Sequence, residues 1–498
     1  MLLDKLKAII NNTPLGPIYF FTLCSFFLNA EISGNEEIYL GWAKAYYDPT
    51  WMPNSFVYDH WVGHRYLFEI FFGFLLKHFS FGIVVVIGKI LAAAAMAYAL
   101  SKLFRQIKLS NLESLLIVVV FISCGQNILP GEWIFMSVES KVFAYPLIFL
   151  SLAELLKGNP KIAAFYIMAA TYFHVIVAGW FFIYFIVYLI WTRTNLPDVA
   201  RAIGIYIAGV LPLAIYLVPR VLSGPSDVNG IHLNWIYVYY RIPNLAPFVN
   251  GKLNTAASWE AIEILTVAFC FILAIIFHRK NSPIVIVNPF NRFIIIIGTF
   301  IFTFLCVAYF DHSGDILKFR PFRADPVFLF FVLIQLFLLI TLKMPNEKAA
   351  TFYSKFSILL LVILMTYKIG DNINRKYIKI YFMPDEKTQA WEDATSFAKN
   401  NTQRDSIFFI QGVRENIDWT FTRLADRDVF VSKKFNPVDK DKWYEWYQRL
   451  QVEVKDETQM AALKNKYKLD YFITSKSKPV IGKTVYQNSH FVISRLSL

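Results

Sequence analysis

Residues 31–65 read EISGNEEIYLGWAKAYYDPTWMPNSFVYDHWVGHR, with five carboxylates (Glu31, Glu36, Glu37, Asp48 and Asp59), two histidines and seven Trp or Tyr residues. Apolar stretches flank it at about 17–30 and 81–103. A loop this acidic and aromatic, directly after a first membrane span, is richer than a connector requires. It marks the working end of a membrane protein at the outer surface. Ser33-Gly34-Asn35-Glu36 has the spacing of a capping box, so a helix should start at Ser33 and run to about Tyr47. In that box Glu36 satisfies a backbone N–H. A partly desolvated carboxylate at a membrane boundary also has a raised pKa and can accept a proton from a hydroxyl group. A helix start holds such an acid rigidly, so the two roles are compatible.

Of the 498 residues, 56% are hydrophobic and 48 are Phe. Soluble domains are about 45–50% apolar, so this composition indicates a polytopic membrane protein. The net charge of +13 is spread over short clusters rather than one stripe, which excludes nucleic acid as the natural partner. Eleven apolar segments are candidate spans, at about 15–30, 81–103, 113–130, 142–157, 160–174, 175–192, 202–219, 260–277, 288–310, 326–343 and 353–370. With the N-terminus cytoplasmic, every inner loop carries at least two basic residues, as Arg105 and Lys108 or Lys157 and Lys161 do. That is the positive-inside pattern. Leu28-Asn29-Ala30 is a poor cleavage site, so the first apolar run reads as an uncleaved span. Cys24, Cys124, Cys270 and Cys306 lie in apolar segments without metal-ligand spacing and read as small buried hydrophobes.

An odd span count places the tail outside. From about residue 371 the apolar runs shrink and charge rises. SIFFI (406–410), DVFVS (428–432), LDYFITS (469–475) and HFVISRL (490–496) read as strands. Residues 386–400, 440–450 and 457–467 read as helices. The expected architecture is therefore a polytopic α-helical membrane protein of about 11 spans with a C-terminal extracytoplasmic α/β domain. Residues 1–370 form the membrane part, including the first outer loop 31–80, and 371–498 form the soluble domain.

The other outer loops supply further candidates. GEWIFMSVESK carries Glu132, Glu139 and Lys141. These form either an outer-surface ion pair or part of the lining of a cavity shared with Asp59 and His64. His174, in TYFHVIVAGW, is either a packed core histidine or a phosphate ligand, since ionisable groups in membrane segments default to functional hypotheses. Lys318, Arg320 and Arg323, in DHSGDILKFRPFRAD, are basic residues on the outer side. Arg forks match phosphate oxygens, so these three, with Arg241, form a candidate anion cradle at the depth of a lipid phosphate. Trp419, Arg423, Arg427 and the run 440–449 form either solvated helix faces or an acceptor- or glycan-docking surface on the tail. No Walker loop, dinucleotide fingerprint, zinc spacing or G-x-S-x-G elbow occurs.

A short cytoplasmic N-terminus, one span, an outer loop opening with Asn35-Glu36-Glu37, many further spans and a soluble outer tail together resemble the GT-C class of integral membrane glycosyltransferases. The resemblance covers the architecture of the whole chain; at the level of residues it is confined to the loop's opening. It implies a polyprenyl-phosphate-linked sugar donor, with Glu36 or Glu37 deprotonating an acceptor hydroxyl that attacks and inverts the anomeric carbon. Glu36 stands where the class usually has Asp, and the tail lacks a WWD-type acceptor motif, unlike oligosaccharyltransferase. Lys318, Arg320, Arg323, Arg241 or His174 would hold the donor phosphate. No redox cofactor is implied; the acidic loop leaves room for a divalent metal. The expected setting is a bacterial inner membrane, with the tail periplasmic or extracellular. Other function classes consistent with the composition are a transporter or flippase of a lipid-linked or anionic substrate and a non-catalytic assembly component.

Overall fold

Each of the eleven apolar segments forms a helix in the structure, a computed structural model that describes residues 2–53, 55–58, 63–107, 109–222, 226–279, 287–342, 346–382, 385–413 and 415–496. Among the described residues, six helical stretches are long and apolar enough to cross a bilayer: Phe81–Phe104, Leu196–Pro219, Ala261–His278, Asn288–Phe310, Leu317–Thr341 and Glu347–Ile378. Leu15–Phe27, Asn111–Ser123 and Val175–Trp191 are apolar but shorter, below the roughly 20 residues that 30 Å of hydrocarbon requires. Large apolar side chains such as Phe269, Phe310, Phe352 and Leu359 are exposed on the long helices, the surface expected of helices bathed in lipid. The cysteines depart from expectation: Cys124 and Cys306 are exposed and the other two only partly covered. In a chain that faces lipid, an apolar segment does not have to turn every apolar residue inward.

The chain divides into two compact units built from discontinuous segments. The first comprises Met1–Leu28, Ile87–Leu217 and Tyr237–Asn372; the second comprises Asn29–Val86, Val218–Ile236 and Ile373–Leu498. The loop 31–80, grouped by sequence with the spans, thus clusters with the tail.

The first unit is a helix bundle with a core rich in aromatic rings, including Tyr19, Phe149, Phe185, Phe330 and Phe331. Its third apolar segment stops being helical at Ser123 rather than near 130. Gly125 and Gln126 then take positive φ (84° and 72°) and turn the chain into the loop that carries Glu132. The backbone N–H groups of Ile128 and Leu129, which lose helical partners there, donate to the Asp325 carboxylate at 2.7 and 2.9 Å.

In the second unit, the helix Gly34–Tyr47 pairs with Tyr66–His78. They can approach because Gly73 lacks a side chain: a β-carbon there would lie 2.5 Å from the Ala43 carbonyl oxygen. The tail contains a five-stranded sheet in the order 428–429, 407–411, 471–475, 491–495, 483–487. Its first three strands are parallel and its last two antiparallel. Trp391, Phe408, Phe421, Ile473, Phe491 and Ile493 form one apolar core and Phe409, Phe430, Leu469 and Phe472 belong to a second. The four strands read from sequence are present. Lys483–Gln487, almost wholly exposed, was not legible because an edge strand with a solvated face shows no alternation. Two short hairpins, 227–232 and 248–253, turn on Asn229-Gly230 and Asn250-Gly251, all four residues at positive φ. These Asn-Gly pairs are the local signal of such turns.

Candidate active site

In the second unit, Ser33 caps the Gly34–Tyr47 helix as its spacing demands. Its backbone N–H donates to Glu36 Oε2 at 2.7 Å, and its hydroxyl accepts from the Glu36 N–H at 3.3 Å. Glu36 is fully buried and committed to this box. Glu37, one residue on, points elsewhere. It is buried, and both of its carboxylate oxygens accept from Arg423 Nε, at 2.8 and 2.9 Å. Burial pushes the Glu37 carboxyl up; the Arg423 charge opposes this, and the outcome is about 7. Such a group is half ionised near neutrality, the condition under which a general base works best.

Around this pair, the Trp419 ring lies 3.0 Å from where a β-carbon on Gly34 would be. Lys434 donates to Asn35 Oδ1 at 3.0 Å and sits over Trp419. Tyr58, Trp51, Met52 and Phe435 wall the loop with apolar surface. Arg65, which sequence reading passed over, is buried against the Trp42 and Tyr39 rings and paired with Glu69 at 3.2 Å. His64 is half-buried beside it. Asp59 lies outside the described residues. Lys44 and Trp51 Nε1 both donate to Asp426 (3.3 and 3.0 Å), and Ser55 donates to Asp428 (3.1 Å). The loop is therefore bonded to the tail at several points. Nothing in the loop's own sequence announces Arg423, which is 386 residues away.

In the first unit, a carboxylate lies at the centre of the cations. Glu132 Oε1 accepts from Arg323 Nε at 2.9 Å, and Oε2 accepts from Lys141 at 3.0 Å. Arg320 stands 3.8 Å from Oε1. Burial would raise the Glu132 carboxyl, but Arg323, Lys141 and Arg320 outweigh it and hold the group down at about 2. Glu139 lies 3.7 Å from Lys141 and accepts from Trp133 Nε1 (2.9 Å) and the Ser137 hydroxyl (3.1 Å). Lys141 also sits 3.8 Å above the Trp133 ring. These charges are buried, not a surface ion pair. Three cations (Lys141, Arg320, Arg323) face two carboxylates (Glu132, Glu139), so the cluster has a net charge of 3 − 2 = +1.

His174 ends one helix, Pro160–Phe173, and caps the next, Val175–Trp191. Arg323 Nη1 lies 2.6 Å from its Nε2, and the Val177 N–H donates to its Nδ1 at 3.4 Å. Both ring nitrogens thus meet donors. A neutral imidazole accepts at only one of its nitrogens, so the tautomer decides which of these two contacts is a hydrogen bond. Arg320 has a left-handed backbone (φ 51°) between two tight turns, 317–319 and 321–324. This conformation is uncommon for a non-glycine residue and is concentrated at functional sites. It directs Nη2 to the Tyr237 hydroxyl at 2.6 Å. Burial raises the Tyr237 phenol, yet Arg320, Arg323 and Arg241 together leave it below its ordinary value, which places Arg241 within the same positive field. Lys318 is the exception among the sequence candidates: it pairs with Asp315 at 3.7 Å, partly exposed. An apolar cavity lined by Tyr145, Ile148, Trp180, Phe181 and Tyr184 has Arg323 in its wall.

Among the described residues, no group of three or more His, Cys, Asp or Glu side chains comes together as a metal would require.

Residues 389–452 match a sequence family described as a domain of unknown function (DUF6798). No curated protein matches the chain. Among solved structures, the chain is similar to ArnT from Cupriavidus metallidurans bound to undecaprenyl phosphate, at 10% identity and a TM-score of 0.48, covering 100% of this chain and 97% of that one. It is also similar to the Archaeoglobus fulgidus oligosaccharyltransferase tethered with an acceptor peptide, at 12% identity and a TM-score of 0.46, covering 93% of this chain and 68% of that one. Both are glycosyltransferases of the GT-C class.

Proposed function

We propose that this chain is a membrane glycosyltransferase that moves a sugar from a polyprenyl-phosphate donor to an acceptor hydroxyl at the non-cytosolic face. The observation that carries the reading is Glu37: a buried carboxylate at a capped helix start, held by Arg423 and poised near neutrality. Glu36 is assigned the structural part, because its carboxylate closes the capping box on the Ser33 N–H.

In this reading Glu37 takes the proton from the acceptor hydroxyl as its oxygen attacks the anomeric carbon from the face opposite the phosphate. The C–O bond to phosphate breaks with inversion, and the electron pair leaves on the polyprenyl phosphate. Separately, within the first unit, Arg320 and Arg323, with Arg241 and His174, are the candidates for binding a phosphate anion, as preorganised cations do. Glu132 keeps the two guanidinium groups aligned and partly neutralised. It leaves the net +1 that a phosphate monoester anion can use. Lys318, paired outside the cluster, has a lesser part.

The test is transfer of a polyprenyl-phosphate sugar in detergent or nanodiscs. Glu37→Gln should lower turnover by about 10²–10⁴-fold, the usual contribution of a general base, with donor binding retained. Glu36→Gln should cost stability more than turnover. Undiminished transfer by Glu37→Gln would remove the proposed base.

A further inference from the structure

The tail's sheet reverses its winding in one place. From the strand 407–411 the chain crosses to 428–429 on one side, then returns through the helices Trp443–Leu450 and Glu457–Tyr467 to 471–475 on the other. The loops leaving the carboxyl ends of 407–411 and 471–475 therefore diverge. In open sheets with parallel strands, this is where a crevice forms and ligands bind.

A cleft of about 220 Å³ lies at this point, lined by Gln411, Gly412, Glu453, Val454, Lys455 and Lys478 among others. Its wall is fixed: Gln411 Nε2 donates to the Val454 carbonyl, and the Val454 N–H donates back to Gln411 Oε1, both at 2.9 Å. Gly412 turns the chain out of the sheet at φ 72°, where a β-carbon would come within 3.2 Å of Lys478 Cγ. The missing side chain lets Lys478 lie across the turn. Two ammonium groups against one carboxylate give the rim a charge of 2 − 1 = +1. None of these residues belongs to the groups around Glu37 or Glu132.

We propose that this cleft is a second binding site, for a small molecule of about one hexose ring bearing a carboxylate or a phosphate ester. The volume falls below the ~300 Å³ at which pockets for drug-sized ligands begin, which suits a single ring. Lysine ammoniums serve as point charges for either anion, and the Gln411 amide and nearby backbone supply the polar contacts.

The experiment uses the full chain in detergent with four probes: glucose, glucuronate, glucose 6-phosphate and inorganic phosphate, followed by titration calorimetry. Glucuronate or glucose 6-phosphate should bind while glucose does not, and whichever binds identifies the anion. The double variant Lys455→Gln/Lys478→Gln, at two exposed positions, should weaken that binding at least tenfold. If neither charged sugar binds, or if the double variant binds as well as the parent, the site does not exist. Binding of inorganic phosphate alone would likewise overturn it, since that needs no ring-sized cleft. Glu37→Gln should leave this binding unchanged, so the transferase reading and this one can fail separately.

Discussion

Glu37 and Glu132 are both buried glutamates beside arginine, and they come out on opposite sides of the usual carboxylate value. One cation, Arg423, does not offset the burial of Glu37, which reaches about 7. Three cations more than offset that of Glu132, which falls to about 2. If Glu37 is the base, turnover should rise with pH through a midpoint near 7. Arg423→Gln, by removing the opposing charge, should move that midpoint upward. A pH–rate profile of both proteins checks this, and a parent profile flat between about pH 5 and 9 contradicts the assignment. The stability signs also differ. Ionised Glu132 contributes stability that is complete above 4.5 and is lost as pH falls towards 2. Glu37, raised in the folded state, makes folding less favourable as pH rises from 4.5 to 7. Glu132→Gln leaves buried cations without their counter-charge and should cost about 3–5 kcal/mol in detergent unfolding. Arg323→Lys, which keeps the charge and loses the fork, should cost less.

Among the elements, two features hold the loop 31–80 in shape. The capping box fixes where the Gly34–Tyr47 helix begins and hence where Glu37 points. Ser33→Ala removes one side of the box and should cost about 1 kcal/mol, with a further loss of turnover if Glu37 shifts. The contact at Gly73 fixes the spacing to the helix Tyr66–His78. Gly73→Ala puts a methyl group against the Ala43 carbonyl and should cost about 1–3 kcal/mol, as overpacking does. Thermal unfolding of the two variants separates these effects. The capping box was legible from four adjacent residues. The Gly73 contact was not, because a close helix crossing depends on which faces meet.

For the whole molecule, the loop 31–80 and the tail share a unit. Lys44, Trp51, Ser55 and Glu37 all bond to residues 423–428, and Asp428 is raised to about 6 by the same burial. A chain cut after residue 372 should therefore lose transfer entirely, and its loop 31–65 should become open to proteases that spare the full-length protein. Limited proteolysis followed by mass spectrometry reads this directly. A truncated chain that kept a protected loop would show that the tail is dispensable.

By itself the sequence determined the class and the approximate positions of the eleven apolar helices, because length and apolarity are local properties and each segment carries its own signal. It also determined the capped start before Glu37, four of the five strands of the tail sheet and the types of residue in the loops. Only the tertiary structure decided which charges meet: Arg423 with Glu37, and Arg323, Lys141 and Arg320 on Glu132. Coulomb energy and desolvation depend on distance in space and on what excludes water, and neither is written in the spacing of residues along the chain.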